Sequence, residues 1–440
     1  MTAQIVNPDS CVLRAENFAD VSVRQTDQFR GDSGCLLELA SRVGRGPLYY
    51  FQSRDREFEL LGIGEFASFR AGSMEEFRSR WGWVLSCLAE HRAASHLFLL
   101  GGTSFDGVSP GQGWGEFSGV HFFLPRKIAI RRGDNVSVLL IGGRDDEELL
   151  LEEEGRESFG WGESTIAGWR GGVPTFSQWE STIGAALEEI RAGRIEKVVL
   201  ARREVATVVG CAHPARLLKR LLEARQRVTG FAFSPSNRLL PCFFGATPEL
   251  LFSMEGDLVQ SEAVAGTAGI EKRGGEAGSL ANLGPKERAE HQFVVSAVVD
   301  RLSQVSEDIT WDKEPQIVSL HDLVHLVTPI RAALRQRVDP LEILGLLHPT
   351  PAVCGTPSAA AREFIRVHEP FDRGWYAGTI GYMNAERSEF AVSLRSALLE
   401  QESLSAFVGA GIVSGSVAAS EWDELNLKQR RIEEMVANKG

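Results

Sequence analysis

The chain has 440 residues, 43% hydrophobic and 24% charged, with a formal net charge of −12. That supplies apolar surface for a large core, and the negative field disfavours nucleic acid and anionic membrane surfaces as partners. No apolar run approaches the roughly 20 residues of a bilayer span. MTAQIVNPDS has neither the basic nor the apolar segment of a signal peptide. The six cysteines, Cys11, Cys35, Cys87, Cys211, Cys242 and Cys354, are far apart and form no CxxC pair. Reduced thiols are expected, with no zinc site or disulfide framework, in a cytoplasmic protein.

Residues 1–150 read as a β-rich first region without a chemical motif. Met74–His91 reads as a helix with Ser73 as N-cap. RKIAIRRGDNVSVLLIGG places two alternating β-branched runs around Gly133, Asp134 and Asn135, a hairpin pattern. Arg144–Glu157 is strongly acidic, and 151–172 is expected to be a linker or loop leading into a core over 173–440. FSQWESTIGAALEEIRAGRI has Ser177 and Glu180 at capping-box spacing, then Trp179, Ile183, Leu187 and Ile190 at helical intervals. IEKVVLARRE is a strand by composition, with Lys197, Val199 and Ala201 on one face. CFFGATPELLFSMEGDLVQSEAVAGTAG reads as short strands joined by glycine turns. NLGPKERAEHQFVVSAVVDRLSQV is an amphipathic helix with Pro285 near its first position. Strand-like FAVSLRSALL, glycine-rich FVGAGIVSGS and a C-terminal helix, EWDELNLKQRRIEEMV, complete the chain.

Two carboxylate pairs stand out, Glu287 with Glu290 and Glu421 with Glu424, each at i, i+3 on a helix and so on one face. Such pairs are either solvated helix faces or an oxygen-only site for a hard cation, which would remove their mutual repulsion. Lys197 interrupts an apolar strand. It is either an edge lysine with its head in water or a desolvated base. Glu249 is either a strand-end carboxylate or a partly desolvated general acid. The glycines of VAGTAG, beginning with Gly266 and Thr267, and of FVGAGIVSG, beginning with Gly409, allow backbone N–H groups to approach an anion. Neither cluster matches a P-loop or a dinucleotide fingerprint. Arg395, on the strand VSLRSAL, suits a carboxylate, and His325 lies in HDLVHLVT.

The order of these segments carries more than any one of them. From Phe176 to the C-terminus, KVVLAR, TPELLF, VAGTA, KERAEH, HLVT, HPTPAVCGTP, RGWYAGTIGY, SLRSA, GAGIVSGS and EWDELNLK follow one another as in the chorismate-utilising enzymes, which the chain resembles. The resemblance implies an α/β (α+β) fold, with two large antiparallel sheets packed as a sandwich and flanked by helices. It implies Mg2+ held directly by Glu290 and Glu424, with Glu287 and Glu421 acting through water. It implies chorismate bound by Arg395, Tyr376, Lys428, His325 and the backbone at Gly266, Thr267 and Gly409. Lys197 would be the base that activates water, and Glu249 the acid that protonates the departing 4-hydroxyl.

Within that family the chain has Ala265 where the amine-transferring members that attack through a lysine carry that residue. It has Lys197 where the ammonia-using members have none. Ala352, three residues before Gly355, replaces the threonine of the pyruvate-releasing members, and Ser358 follows Pro357 where they tend to have lysine. These positions imply water as nucleophile, release of isochorismate and no glutaminase partner.

Overall fold

The computed structural model describes residues 22–91, 93–111, 113–142, 165–210, 212–223, 227–269, 284–320 and 323–436. The first region contributes β1 (Ser22–Arg30), α1 (Cys35–Ala40), β2 (Leu48–Gln52), β3 (Phe58–Ala71), α2 (Met74–Glu90), β4 (Leu99–Thr103), β5 (Val120–Arg132) and β6 (Asn135–Gly142). Next come β7 (Thr165–Val173), α3 (Phe176–Arg191), β8 (Lys197–Val209), α4 (Pro214–Glu223), β9 (Thr229–Ser234), β10 (Cys242–Thr247), β11 (Leu250–Glu255) and β12 (Leu258–Gly269). The rest is α5 (Pro285–Leu302), β13 (Ser306–Trp311), β14 (Gln316–Leu320), β15 (Leu323–Leu334), α6 (Pro340–Leu347), β16 (Gly355–Thr356), α7 (Ser358–His368), β17 (Thr379–Met383), β18 (Arg387–Val392), β19 (Ser396–Leu399), β20 (Ser403–Val413) and α8 (Ala418–Val436).

Every one of these strand pairings is antiparallel, and β5 is their hub. One of its edges takes β3 along its length, and the other takes β4 and then β6. From β4 one arm continues through β17, β18, β11, β12 and β15. From β3 a second arm continues through β2, β9, β10, β19, β20 and β8. The ladder folds over so that the arms face each other: Tyr49 Oη on β2 donates to the Gly381 carbonyl on β17, and Phe51 meets Tyr382 with centroids 5.2 Å apart. Helices pack on these arms, α5 on β12 and β15, and α8 on β20. The expected antiparallel two-layer architecture is therefore present. The first region is hydrogen-bonded into both arms through β2 and β4.

Local expectations fare unevenly. Ser73 caps α2, accepting from the Glu76 amide at 3.1 Å. The hairpin turns at Gly133 and Asp134 between β5 and β6. The capping box of α3 is Thr175 with Gln178, two residues before Ser177 and Glu180. Both pairs have the required spacing, and the end of β7 at Val173 decides which one starts the helix. Arg144–Glu157 lies outside the described residues, as does residue 164 and everything before it in the expected linker. From Thr165 the chain is strand β7, paired with β8. Cys35, Cys87, Cys242 and Cys354 are free thiols.

The interior is aromatic, with Phe122, Phe123, Phe231, Phe233, Phe243, Trp375 and Phe390 all fully buried. Fully burying each such side chain contributes roughly 1.5–3 kcal/mol. A buried charge cluster lies on β3 and β5. Glu59 on β3 pairs with Arg131 on β5 at 2.8 Å and accepts from the Gly34 amide at 2.6 Å and Gln52 at 3.2 Å, tying the start of α1 to the sheet. Arg131→Met leaves a buried carboxylate uncompensated, and a loss of about 3–5 kcal/mol is expected in urea unfolding. A change below about 1 kcal/mol would show that this cluster does not hold the first region to the sheet.

Candidate active site

Two crossings between the arms lie side by side. β10 passes to β11 through Pro248 and Glu249, and β18 passes to β19 through Ser393–Arg395. The Ala246 amide donates to the Arg395 carbonyl at 3.3 Å, and the Val392 amide to the Glu249 carbonyl at 3.1 Å. Arg395 was expected within a strand. Instead it is the kink between two strands, at φ +48°, because the chain changes arms there. This strained backbone aims a half-buried guanidinium at β15, where Nη2 donates to His325 Nε2 at 3.0 Å. Burial lowers the Arg395 pKa to about 10. Burial first, then the Arg395 and Lys428 charges, holds buried His325 well below the usual imidazole range, so its ring is neutral and Nε2 is the acceptor.

Glu249 is 4% exposed. Thr350 Oγ1 donates to its Oε1 at 3.3 Å. Burial raises the carboxyl pKa to about 7, against the pull of Lys197 and Thr350 and with a smaller push from Glu262. Thr350 was not anticipated from sequence, although it lies within HPTPAVCGTP. Ala352 sits two residues further along this loop, half-buried.

Lys197 opens β8, flanked by Val413 of β20 and Thr356 of β16. Both faces of the strand are covered here: Lys197, Val198, Val199, Leu200 and Ala201 are all buried. The edge-lysine alternative is therefore excluded. Nζ lies 2.9 Å from Glu290 Oε1 on α5, and Lys197 is 0% exposed. This contact is an ion pair without hydrogen-bond geometry, and among the described residues no acceptor completes a hydrogen bond to Nζ.

The facing strand has no side chain where the charges sit. On β20, Gly409 and Gly411 oppose Ala201 and Val199. A Cβ at Gly411 would lie 2.4 Å from Glu290 Oε1 and 3.1 Å from Lys197 Cε, and one at Gly409 would lie 2.8 Å from the Tyr376 hydroxyl. Tyr376 is buried and stacks on Phe407 with centroids 5.2 Å apart. From α8, Lys428 donates to the Gly409 carbonyl at 2.8 Å and pairs with Glu424 at 2.6 Å. One short stretch of β20 thus gathers Lys197, Glu290, Tyr376, Lys428 and, through Lys428, Glu424.

The strand carrying Lys197 is held by side chains where strand partners run out. β16 pairs only as far as Val198, and β7 begins at Arg203. In the gap, Arg373 Nη2 donates to the Val199 carbonyl at 2.7 Å, and the Ala201 amide donates to Glu369 Oε1 at 2.7 Å. Arg373 and Glu369 form a buried ion pair with each other. Neither was singled out from sequence, since a charged pair four residues apart resembles any exposed helix pair.

The remaining candidates take supporting positions. Glu287 Oε2 accepts from the Gly284 amide at 2.8 Å, capping α5. The first turn of that helix closes onto Gly266, whose φ of +74° forms a bulge in β12 and where a Cβ would meet the Glu287 carbonyl at 2.8 Å. The backbone of Thr267 pairs with His325. Glu421 is buried on α8.

Among the described residues no three His, Cys, Asp or Glu side chains form a ready metal cluster. Glu290 and Glu424 are each drawn onto a lysine. Even so, their donors are carboxylate oxygens only, and the space beside Glu290 is kept open by Gly411. That chemistry and cradle fit a hard divalent cation.

Residues 21–437 match the model of a family described as chorismate binding enzyme, and the chain belongs to that family. It is 39% identical over 267 residues to a salicylate biosynthesis isochorismate synthase of Pseudomonas aeruginosa, a match spanning 59% of this chain and 55% of that one. It is 29% identical over 420 residues to isochorismate synthase MenF of Bacillus subtilis, spanning 87% of this chain and 86% of the relative. The structure of MenF, the menaquinone-specific isochorismate synthase from Escherichia coli, superimposes with a TM-score of 0.80 at 25% identity, covering 94% of each chain. Among the described residues no helix is long and apolar enough to cross a membrane.

A methyl group at Gly411 must displace Glu290 from Lys197. Gly411→Ala is expected to cut turnover of chorismate about 10²-fold through misplacement alone, with an unchanged far-UV circular dichroism spectrum. Wild-type turnover in that variant would dissociate the Glu290 position from the chemistry.

Proposed function

We propose that the chain is an isochorismate synthase, which converts chorismate reversibly to isochorismate by attack of water at C2 and loss of the 4-hydroxyl as the double bonds shift. The observation that carries this reading is two buried groups close enough for one to act on the other: the fully buried Lys197 amine, whose charge pulls on the Glu249 carboxyl, itself raised by burial to about 7. Water is a poor nucleophile and must lose a proton, whereas hydroxide is a poor leaving group and must gain one. Lys197 supplies the base and Glu249 the acid. Arg395, oriented by neutral His325, binds one substrate carboxylate. Tyr376, Lys428 and the backbone at Gly266, Thr267 and Gly409 line the rest of the site. Glu290 and Glu424 are the direct ligands of Mg2+, with Glu287 and Glu421 behind them. When bound, the cation neutralises the second substrate carboxylate.

Water rather than ammonia as the nucleophile removes any need for a glutaminase subunit, and we place the reaction in the cytoplasm. The menaquinone branch is favoured because the relatives named MenF from Bacillus subtilis and Haemophilus influenzae align over most of both chains. Ala352 supports release of isochorismate. A small side chain near the enolpyruvyl ether leaves that group free of the compact pose that pyruvate elimination needs, and near-attack geometry is worth several kcal/mol.

Purified protein with chorismate and Mg2+ is expected to yield isochorismate, resolved by chromatography, and excess EDTA is expected to abolish it. With lactate dehydrogenase and NADH present, NADH should persist. Rapid NADH consumption would identify a pyruvate-releasing member instead, and activity in EDTA would remove the metal from the scheme.

Lys197→Ala and Glu249→Gln are each expected to lower turnover roughly 10²–10⁴-fold while chorismate still binds. Since Glu249 must be protonated to donate, and burial raises its pKa to about 7, wild-type kcat/KM should fall as pH rises through about 7. A Lys197→Ala enzyme with full kcat and a raised KM would make the lysine a binding group.

A further inference from the structure

Arg54, in the turn between β2 and β3, reaches from one arm of the sheet to the other. Its guanidinium grips Glu262 on β12 with two parallel bonds, Nη1 to Oε2 at 2.5 Å and Nη2 to Oε1 at 2.5 Å. Nη1 also donates to the carbonyl of Pro248 at 3.3 Å. Pro248 immediately precedes Glu249 in the crossing between arms. The pair is largely shielded, at 22% and 13% side-chain exposure. A fork of this kind fixes direction as well as distance. An exposed ion pair would leave both partners mobile, and a surface pair needs no backbone acceptor.

We propose that Arg54 and Glu262 are positioning residues for Glu249, the guanidinium fixing the backbone of the crossing and the ion pair balancing the field at the proton donor. The proposal rests on Glu249 being that donor. No atom of Arg54 or Glu262 needs to touch substrate for it to hold. The groups that face Glu249 are Lys197 from β8, Thr350 from the loop before β16, Tyr376 from the loop before β17 and Glu262 from β12. Arg54 is in turn faced by Asp55 and by Glu389 on β18. Of these, Glu262 is the carboxylate whose charge pushes the Glu249 pKa up. Arg54 neutralises that charge at contact distance, so the first region of the chain, which supplies no other group to the reaction, sets the protonation of the acid from the far side of the crossing.

The test is a charge cycle read on the alkaline limb of kcat/KM against pH. Arg54→Gln uncovers the Glu262 carboxylate, and the limb should move up by about half a unit or more. Glu262→Gln leaves Arg54 uncompensated, and the limb should move down by a similar amount. The double variant removes both charges, and the limb should return close to its wild-type position even if kcat stays several-fold low from loss of the Pro248 contact. A merely structural role predicts instead that kcat or stability falls in all three without opposed shifts. Limbs that stay put, or that move in the same direction in both single variants, or a double variant that fails to return, would overturn the proposal. Failure of the underlying reading looks different: Glu249→Gln would then keep its turnover and its alkaline limb, whatever the Arg54 and Glu262 variants do.

Discussion

A lysine amine stripped of water is the constraint around which this molecule is arranged. Lys197 is 0% exposed in the first position of a strand covered on both faces. An unpaired charge in that setting carries a penalty of several kcal/mol, so Glu290 must come within ion-pair distance. That contact fixes where α5 sits, which in turn demands a bulge at Gly266 to admit its first turn and the absence of a side chain at Gly411 to admit the carboxylate. The backbone of the lysine strand is pinned in the same region by Arg373 and Glu369, which replace the missing strand between β16 and β7. Close packing leaves little latitude here, because a single methyl group at either glycine would meet another atom inside normal contact distance.

The same dry environment acts on Glu249. Desolvation penalises whichever form of a group is charged, so burial raises the Glu249 carboxyl to about 7 while holding the His325 ring neutral. One physical cause thus favours the protonated form of the Glu249 carboxyl and leaves an uncharged acceptor for the Arg395 guanidinium. Both Glu249 and Arg395 lie where the chain leaves one arm of the sheet for the other. Such crossings are the places in a sandwich where backbone is released from a ladder and a side chain can be aimed across the layers. The positive φ at Arg395 belongs with this geometry, as local strain is tolerated where the surrounding structure over-determines it.

The first region has a double connection to this arrangement. Through β2 and β4 it supplies a strand to each arm, so it is part of the framework that brings the arms face to face. Through Arg54 it touches Pro248, the residue before Glu249. A region with no chemical motif of its own is therefore mechanically continuous with the site.

Much of this was legible in the residues. The capped helix from Met74, the hairpin at Gly133–Asp134, the helix opening at Pro285 and the strand around Lys197 follow from short-range rules: capping chemistry, turn residues and apolar periodicity. The order of motifs from KVVLAR to EWDELNLK was enough to recognise the family and its layered antiparallel architecture, although the two layers are arms of one continuous ladder. Where two local solutions were equally good, as with Ser177–Glu180 and Thr175–Gln178, only the end of the preceding strand chose between them. Thr350, Glu369, Arg373, Arg54 and Glu262 were invisible for a different reason. Their partners are far away in the chain, such as Pro248 for Arg54 and Val199 for Arg373, and nothing local distinguishes a solvated arginine from one that grips a distant carbonyl. The sequence alone determined where most helices and strands lie and drew attention to the carboxylates and the lysine proposed to carry the chemistry. The tertiary structure decided that Lys197 is buried and not at an edge, that Arg395 is a kink and not part of a strand, and what protonation Glu249 holds, because burial is a property of the whole packing and of no segment by itself.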